Sequence, residues 1–151
     1  MALERLKRLA NNIINLDLDR IVNIILSDRD VQDFIINLNT EGQLFKGIDS
    51  LGVSLDSIGG DYAASTKARK GRKGQPTDRV TLKDSGDFYK TFDIDVFAKG
   101  FTIEADTIKS GQDLEGRWGD KLVGLTKENK ILLVQKLKRL ISNAILRKIR
   151  S

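Results

Sequence analysis

The chain contains no cysteine, no histidine and a single proline. Without cysteine there is no disulfide, no thiol nucleophile and no covalent haem attachment. Without histidine the usual zinc sites disappear, together with the serine–histidine and cysteine–histidine dyads of nucleophilic catalysis. The remaining catalytic vocabulary is carboxylate, lysine and tyrosine, and these groups must converge in a pocket that the sequence does not display. The expectation is a protein that is not an enzyme and that takes no cofactor and no metal. Long hydrophobic runs are also missing: the longest span only a few residues, against the ~20 that a membrane helix needs. No membrane partner is expected. The opening MALERLKRLANNIINL is basic, but charged and polar residues interrupt it too early for a secretory core, so synthesis in the cytoplasm is expected.

What is present fits one domain spanning 1–151, long enough to bury a core unaided. The net charge of +5 is unevenly spread. From Thr126 to Ser151 the basic residues are Lys127, Lys130, Lys136, Lys138, Arg139, Arg147, Lys148 and Arg150, with Glu128 the only acid. A basic helix of this kind meets nucleic acid, an anionic surface or an acidic protein, or forms a solvated face.

Periodicity predicts an α+β fold: a helical N-terminal region over 1–39, a small antiparallel sheet with a hairpin over 92–105, and a long C-terminal helix over 126–150 packed on it. Leu3, Leu6, Leu9, Ala10 and Ile13 recur at helical spacing, as do Val31, Phe34, Ile35 and Leu38. Asp19 and Ser27 are the expected caps of the second and third helices. After Thr40 glycines multiply, and QLFKGIDSLG reads as a short strand entering a turn. Asp61 is the expected cap of a brief helix, and 66–79 reads as an exposed, mobile basic loop because it holds glycines, the only proline and no apolar anchor.

Val80 and Leu82 alternate with polar neighbours and predict a strand; Asp84, Ser85 and Gly86 then launch a helical turn that offers Phe88 and Tyr89 to the core. Phe92, Ile94, Val96, Phe101, Ile103 and Ala105 alternate with polar residues, giving a hairpin with one dry and one wet face. The stretch 108–119 reads as irregular. Thr126 caps the last helix, whose apolar positions include Val134, Leu137, Ile141, Ile145 and Ile149. That helix is long for a small domain, so part of its apolar face is expected to meet another subunit.

Each candidate site has a bland counterpart. Asp93, Asp95, Glu104 and Asp106 are oxygen ligands suited to a hard cation, but no ligand-loop spacing accompanies them, and the wet face of a hairpin accounts for them. Lys83 near Ser85 has the residue types of a serine–lysine dyad, yet it sits among turn residues rather than in the burial a lysine base requires. GRKG lacks the spacing of a phosphate loop. Lys67, Arg69, Lys70, Arg72 and Lys73 form a cationic cluster able to contact DNA phosphates without sequence preference, or an acidic neighbour. Arg117 and Trp118 are residue types enriched at interface hot spots, while a tryptophan closing the chain's own core is the equal alternative.

Three stretches, GIDSLGVSLDSIGGDYAASTKARKG, VTLKDSGDFYKTF and RWGDKLVGLTKENKILLVQKLKRLI, occur in that order between about Leu44 and Ile149. Their order and spacing resemble the Mu-type phage virion morphogenesis family of tail-completion and head–tail joining proteins. In place of that family's aromatic near its first glycine segment this chain has Val53 to Leu55, in place of its alanine–histidine-like stretch it has GRWG, and the N-terminal helices have no counterpart. The resemblance implies a structural virion protein without catalysis, made in the host cytoplasm and assembled as a homo-oligomeric ring at the head–tail neck or tail end. Its implied partners are portal, neck or tail proteins, with non-specific contact to packaged DNA. A ring of this kind needs heterologous interfaces, which the long helix and the hairpin are expected to supply, with Arg117, Trp118, Val134, Leu137, Ile141 and Ile145 as the candidate contacts. The competing reading is a basic nucleic-acid-binding module using the last helix and residues 67–73.

Overall fold

The computed structural model describes residues 1–151. Three helices open the chain: α1 (Ala2–Ile14), α2 (Leu18–Leu26) and α3 (Arg29–Asn39). Their caps lie beside the expected residues. Asp17 accepts from the Arg20 amide at 3.0 Å, and Asp28 accepts from the Asp30 and Val31 amides at 2.9 and 3.4 Å. Both caps have the extended backbone a cap needs. Ser27 instead ends α2, donating its hydroxyl to the Asn23 carbonyl.

The expected strand after Thr40 is a 3-10 turn, Leu44–Lys46, closed by Gly47 at φ 80°. Only an isolated bridge between Ile48 and Ser54 follows. The turn itself is present, the Asp49 carboxylate accepting from the Leu51 and Val53 amides at 2.9 Å. Next come α4 (Leu55–Gly59) and α5 (Ala64–Arg72), so the first half of the predicted basic loop is a helix. The helix forms because Ala, Lys and Arg are strong helix formers and three cations lie in its last turn, where the dipole favours them. Its anchor is the aliphatic stem of Lys70, which sequence reading passed over because the residue is charged. Asp61 does not cap α5; it receives the Tyr62 amide at 2.7 Å and the Lys67 ammonium.

Residues 80–83 form no strand ladder. The Thr81 and Leu82 amides both donate to the Tyr62 hydroxyl, at 3.3 and 3.0 Å, and the Tyr89 hydroxyl donates to the Thr81 carbonyl at 2.6 Å. Two tyrosines therefore satisfy this buried backbone, and Leu82 sits at φ 55°. Burial raises the Tyr89 phenol pKa far above its usual value. Tyr62→Phe strands both amides and is expected to cost about 2 kcal/mol in urea unfolding. A loss below ~0.5 kcal/mol would show that water replaces the hydroxyl.

The turn helix α6 (Asp87–Lys90) delivers Phe88 and Tyr89 to the core as expected. Strands β1 (Asp93–Phe97) and β2 (Gly100–Glu104) form the hairpin, in the register Asp93 to Glu104, Ile94 to Ile103 and Val96 to Phe101. A second, very short hairpin occupies the stretch expected to be irregular: β3 (Ile108–Lys109) and β4 (Gln112–Asp113). Ser110 and Gly111 turn it with φ values of 50° and 76°, the pair of positive angles a tight two-residue hairpin demands. Asp113 caps α7 (Leu114–Trp118), and Thr126 caps α8 (Lys127–Arg150), accepting from the Asn129 amide at 3.2 Å.

The fold is thus α+β: eight helices, a long C-terminal one among them, and two small antiparallel hairpins. Its core has two lobes. One gathers Leu44, Leu55, Val80, Phe88, Phe92, Leu114, Trp118 and Leu122; the other gathers Leu26, Val31, Ile35, Leu38, Ile94, Leu125 and Leu133. Ile36 and Ile103 pack against both. Between α3 and the start of α8 lies a buried amide network. Asn39 bridges the Leu122 carbonyl and Gly124 amide, Gln43 bridges the Gly124 carbonyl and Thr126 amide, and Asn129 donates to the Leu38 carbonyl. These side chains satisfy the α3 exit and the α8 entry together, fixing where the long helix starts.

Candidate assembly interface

The α8 helix is 24 residues long, about 36 Å at 1.5 Å per residue. Of its apolar residues only Leu133 is fully buried. Leu137, Leu140, Ile141, Ala144, Ile145 and Ile149 are half-buried, on a helix that packs against α1, α2 and α3. Ile131, Leu132, Val134 and Leu146 are exposed, Val134 to 49%. The predicted interface set therefore divides: Val134 is open to a neighbour, whereas Leu137, Ile141 and Ile145 are half-covered by the chain itself.

The α1 helix has a clean apolar stripe yet buries no residue. It lies along α8, tied near its end by the Asn12 amide donating to the Ile149 carbonyl at 3.2 Å. Leu3 and Leu6 are each 62% exposed, and Ile13, Ile14 and Leu18 are open as well. An amphipathic helix that leaves its apolar stripe in water is an unfinished burial. The chain exposes 9557 Å². A folded monomer of its 16.9 kDa mass exposes about 7,700 Å². The excess of about 1,900 Å² is close to what two standard interfaces remove from one subunit, about 800 Å² each.

Trp118 is a correction to the predicted interface. It is 3% exposed and closes the intramolecular core, edge-on to Tyr62 with ring centroids 6.4 Å apart. Arg117 covers its other side, the guanidinium 4.3 Å from the ring. That guanidinium also donates to the Gly59 and Asp61 carbonyls at 3.1 and 3.2 Å, so Arg117 straps α7 to the loop after α4. The glycines on either side are helix and turn positions, Gly116 within α7 and Gly119 at its end.

The basic cluster is similarly absorbed. The Lys67 ammonium pairs with Asp61, Lys73 with Asp84 at 2.7 Å, and Arg69 with Asp84 at 3.7 Å. Arg72 donates to the Ala68 carbonyl and is the one member outside an ion pair that also faces solvent. Lys70 is 1% exposed. Burial lowers its pKa. The hydrogen bond from Lys73 holds the Asp84 carboxyl below the usual range, and the bond from Lys67 does the same for Asp61. A folded carboxylate pKa below its unfolded value contributes stability above the ordinary carboxylate range. That contribution is lost as pH falls through the lowered value.

On the hairpin's wet face, Asp93, Asp95, Glu104 and Asp106 are all exposed and form no group able to hold a metal ion. Lys83 reaches Glu41 rather than Ser85, whose hydroxyl accepts from the Asp87 amide at the start of α6. No helix is long and apolar enough to cross a membrane. No family model matches the chain, nor does any curated protein or solved structure.

Proposed function

We propose that this chain is a non-enzymatic structural protein of a tailed bacteriophage virion, made in the host cytoplasm and assembling as a ring at the head–tail neck or tail end. The observation that carries the reading is the uncovered apolar stripe of α1 together with the exposed apolar residues of α8. The surface excess supports it, because a ring subunit needs two different faces, each covered by a neighbour. The order of the three sequence stretches supplies the virion context, with portal, neck or tail proteins as partners. Light scattering coupled to size exclusion tests it. The expected result is a closed oligomer of defined mass that grows in population with concentration. A monomer at high micromolar concentration, also in the presence of purified neck and tail proteins, would count against the ring.

The alternative, a nucleic-acid-binding module, keeps one observation in its favour. None of the basic side chains of α8 is engaged in an ion pair. DNA binding with a steep dependence on salt, falling as charges on α8 are removed, would favour it. Residues 67–73 contribute little to that reading, since three of their cations are already paired.

A further inference from the structure

Between α5, α7 and the β3–β4 hairpin lies a cavity of about 280 Å³. Five cationic side chains line it, Arg69, Lys70, Lys83, Lys109 and Arg117, against one carboxylate, Asp84. That carboxylate is already held by Lys73 and Arg69. Lys83 is turned to Glu41. Lys109 has no ion-pair partner within the chain.

Lys70 is the unusual member. Its ammonium is buried and donates only to neutral acceptors, the Gln75 side-chain carbonyl at 3.2 Å and the Lys83 backbone carbonyl. No carboxylate lies within ion-pair distance of it. A buried charge is normally paired, and an unpaired one is costly. The fold nevertheless keeps it beside further cations in a concave site, whose one carboxylate, Asp84, acts on it only from beyond ion-pair distance and is already held by Lys73 and Arg69. The cavity wall also holds Leu82, whose φ of 55° no hairpin turn accounts for. Backbone strain of this kind persists where surrounding structure enforces it, and it clusters at ligand sites.

We propose that this cavity is an oxyanion site for a small phosphate-bearing molecule, its phosphoryl group seated between Lys70 and Lys109, with Arg69, shared with Asp84 at 3.7 Å, adding a further charge. A single carboxylate would offset one of the surplus charges. A phosphoryl group carries nearly two and offers three acceptor oxygens, matched here by the nearby donors of Thr66, Ser110 and Gln112. The volume is near the lower end for small-molecule sites, which suits a compact di- or triphosphate and excludes a duplex from entering. The site does not depend on the assembly reading, since every lining residue comes from one chain.

Trp118, the sole tryptophan, forms part of the wall and reports on it. The full chain is titrated with inorganic pyrophosphate, with a nucleoside triphosphate and with duplex DNA, following tryptophan fluorescence and heat. The expected result is saturable binding of pyrophosphate, one ligand per chain. Lys109→Ala should weaken it about tenfold or more, with its melting temperature kept within about 2 °C. Arg69→Gln should act in the same direction. Lys148→Ala, far away on α8, should leave binding unchanged. Tighter binding of the nucleoside triphosphate identifies a nucleotide as the source of the phosphate, and equal binding identifies free polyphosphate; both support the site. It is overturned if pyrophosphate shows no saturable binding at millimolar concentration, if DNA binds and pyrophosphate does not, or if Lys148→Ala weakens binding as much as Lys109→Ala.

Discussion

Gly59→Ala is expected to destabilise the fold by about 3 kcal/mol or more, among the larger effects a single methyl group produces. A Cβ on residue 59 would stand 2.5 Å from the Arg117 carbonyl oxygen, 2.6 Å from Trp118 Cδ1 and 2.8 Å from its Nε1. None of these atoms yields cheaply. The carbonyl belongs to the backbone of α7, and the indole is held between the edge of Tyr62 and the Arg117 guanidinium. Relief therefore means parting α4 from α7 and opening the core around Trp118. For a chain of this size the melting temperature should fall by about 6–12 °C. Gly71→Ala supplies the opposite sign. It lies within α5, where the nearest contact for a Cβ is Thr77 at 3.7 Å, so it should stabilise by about 0.5 kcal/mol. Equal melting temperatures for the two variants would mean that the α4–α7 contact is slack.

The double substitution Leu3→Glu, Leu6→Glu is expected to abolish self-association while leaving the subunit folded. Both leucines face water in the single chain, so their replacement should change its unfolding free energy by no more than about 0.5 kcal/mol. In an assembly they would be covered, each contributing about 1.5–3 kcal/mol. Losing two such contributions weakens association by more than about a hundredfold, before the cost of burying carboxylates is added. Sedimentation velocity over a concentration series reads this directly. If the variant associates as the unaltered chain does, α1 is not part of the interface, and the exposed face of α8 around Val134 becomes the remaining surface to test. If it unfolds, the leucines matter within the subunit and the burial argument for α1 fails.

Local signals were legible wherever neighbours in sequence are also neighbours in space. The two-residue alternation on either side of Lys99-Gly100 placed the hairpin within a residue or two of its limits, because slipping the register would bury Asp93 and Asp95. Thr126 announced α8, and Phe88 and Tyr89 reached the core as their position after a glycine turn implied. Caps were legible in type but displaced in position, since two candidate side chains lay within reach and backbone angle selected between them. Long-range features were not legible. Nothing near Asn39, Gln43 or Asn129 shows that three amides from distant segments share one buried network. The strand expected at Val80 failed for a related reason: its amides found a tyrosine hydroxyl from residue 62 instead of a ladder partner.

The same division separates the two candidate surfaces. Composition alone removed thiol chemistry, covalent haem attachment and histidine-dependent chemistry, and periodicity alone set the α+β class, the N-terminal helices and the overlong last helix. Those conclusions rest on residue types and on the 2.0 and 3.6 periods of the backbone, which the chain carries whatever it packs against. Only the tertiary structure decided that Trp118 closes the core, that the cations of residues 67–73 are mostly paired at home, that α1 is left uncovered, and that Lys70 is buried without a direct ion-pair partner. Burial and pairing depend on which distant segments meet, and a hydrophobic stripe or a run of lysines reads the same in sequence whether its partner lies in the same chain or outside it.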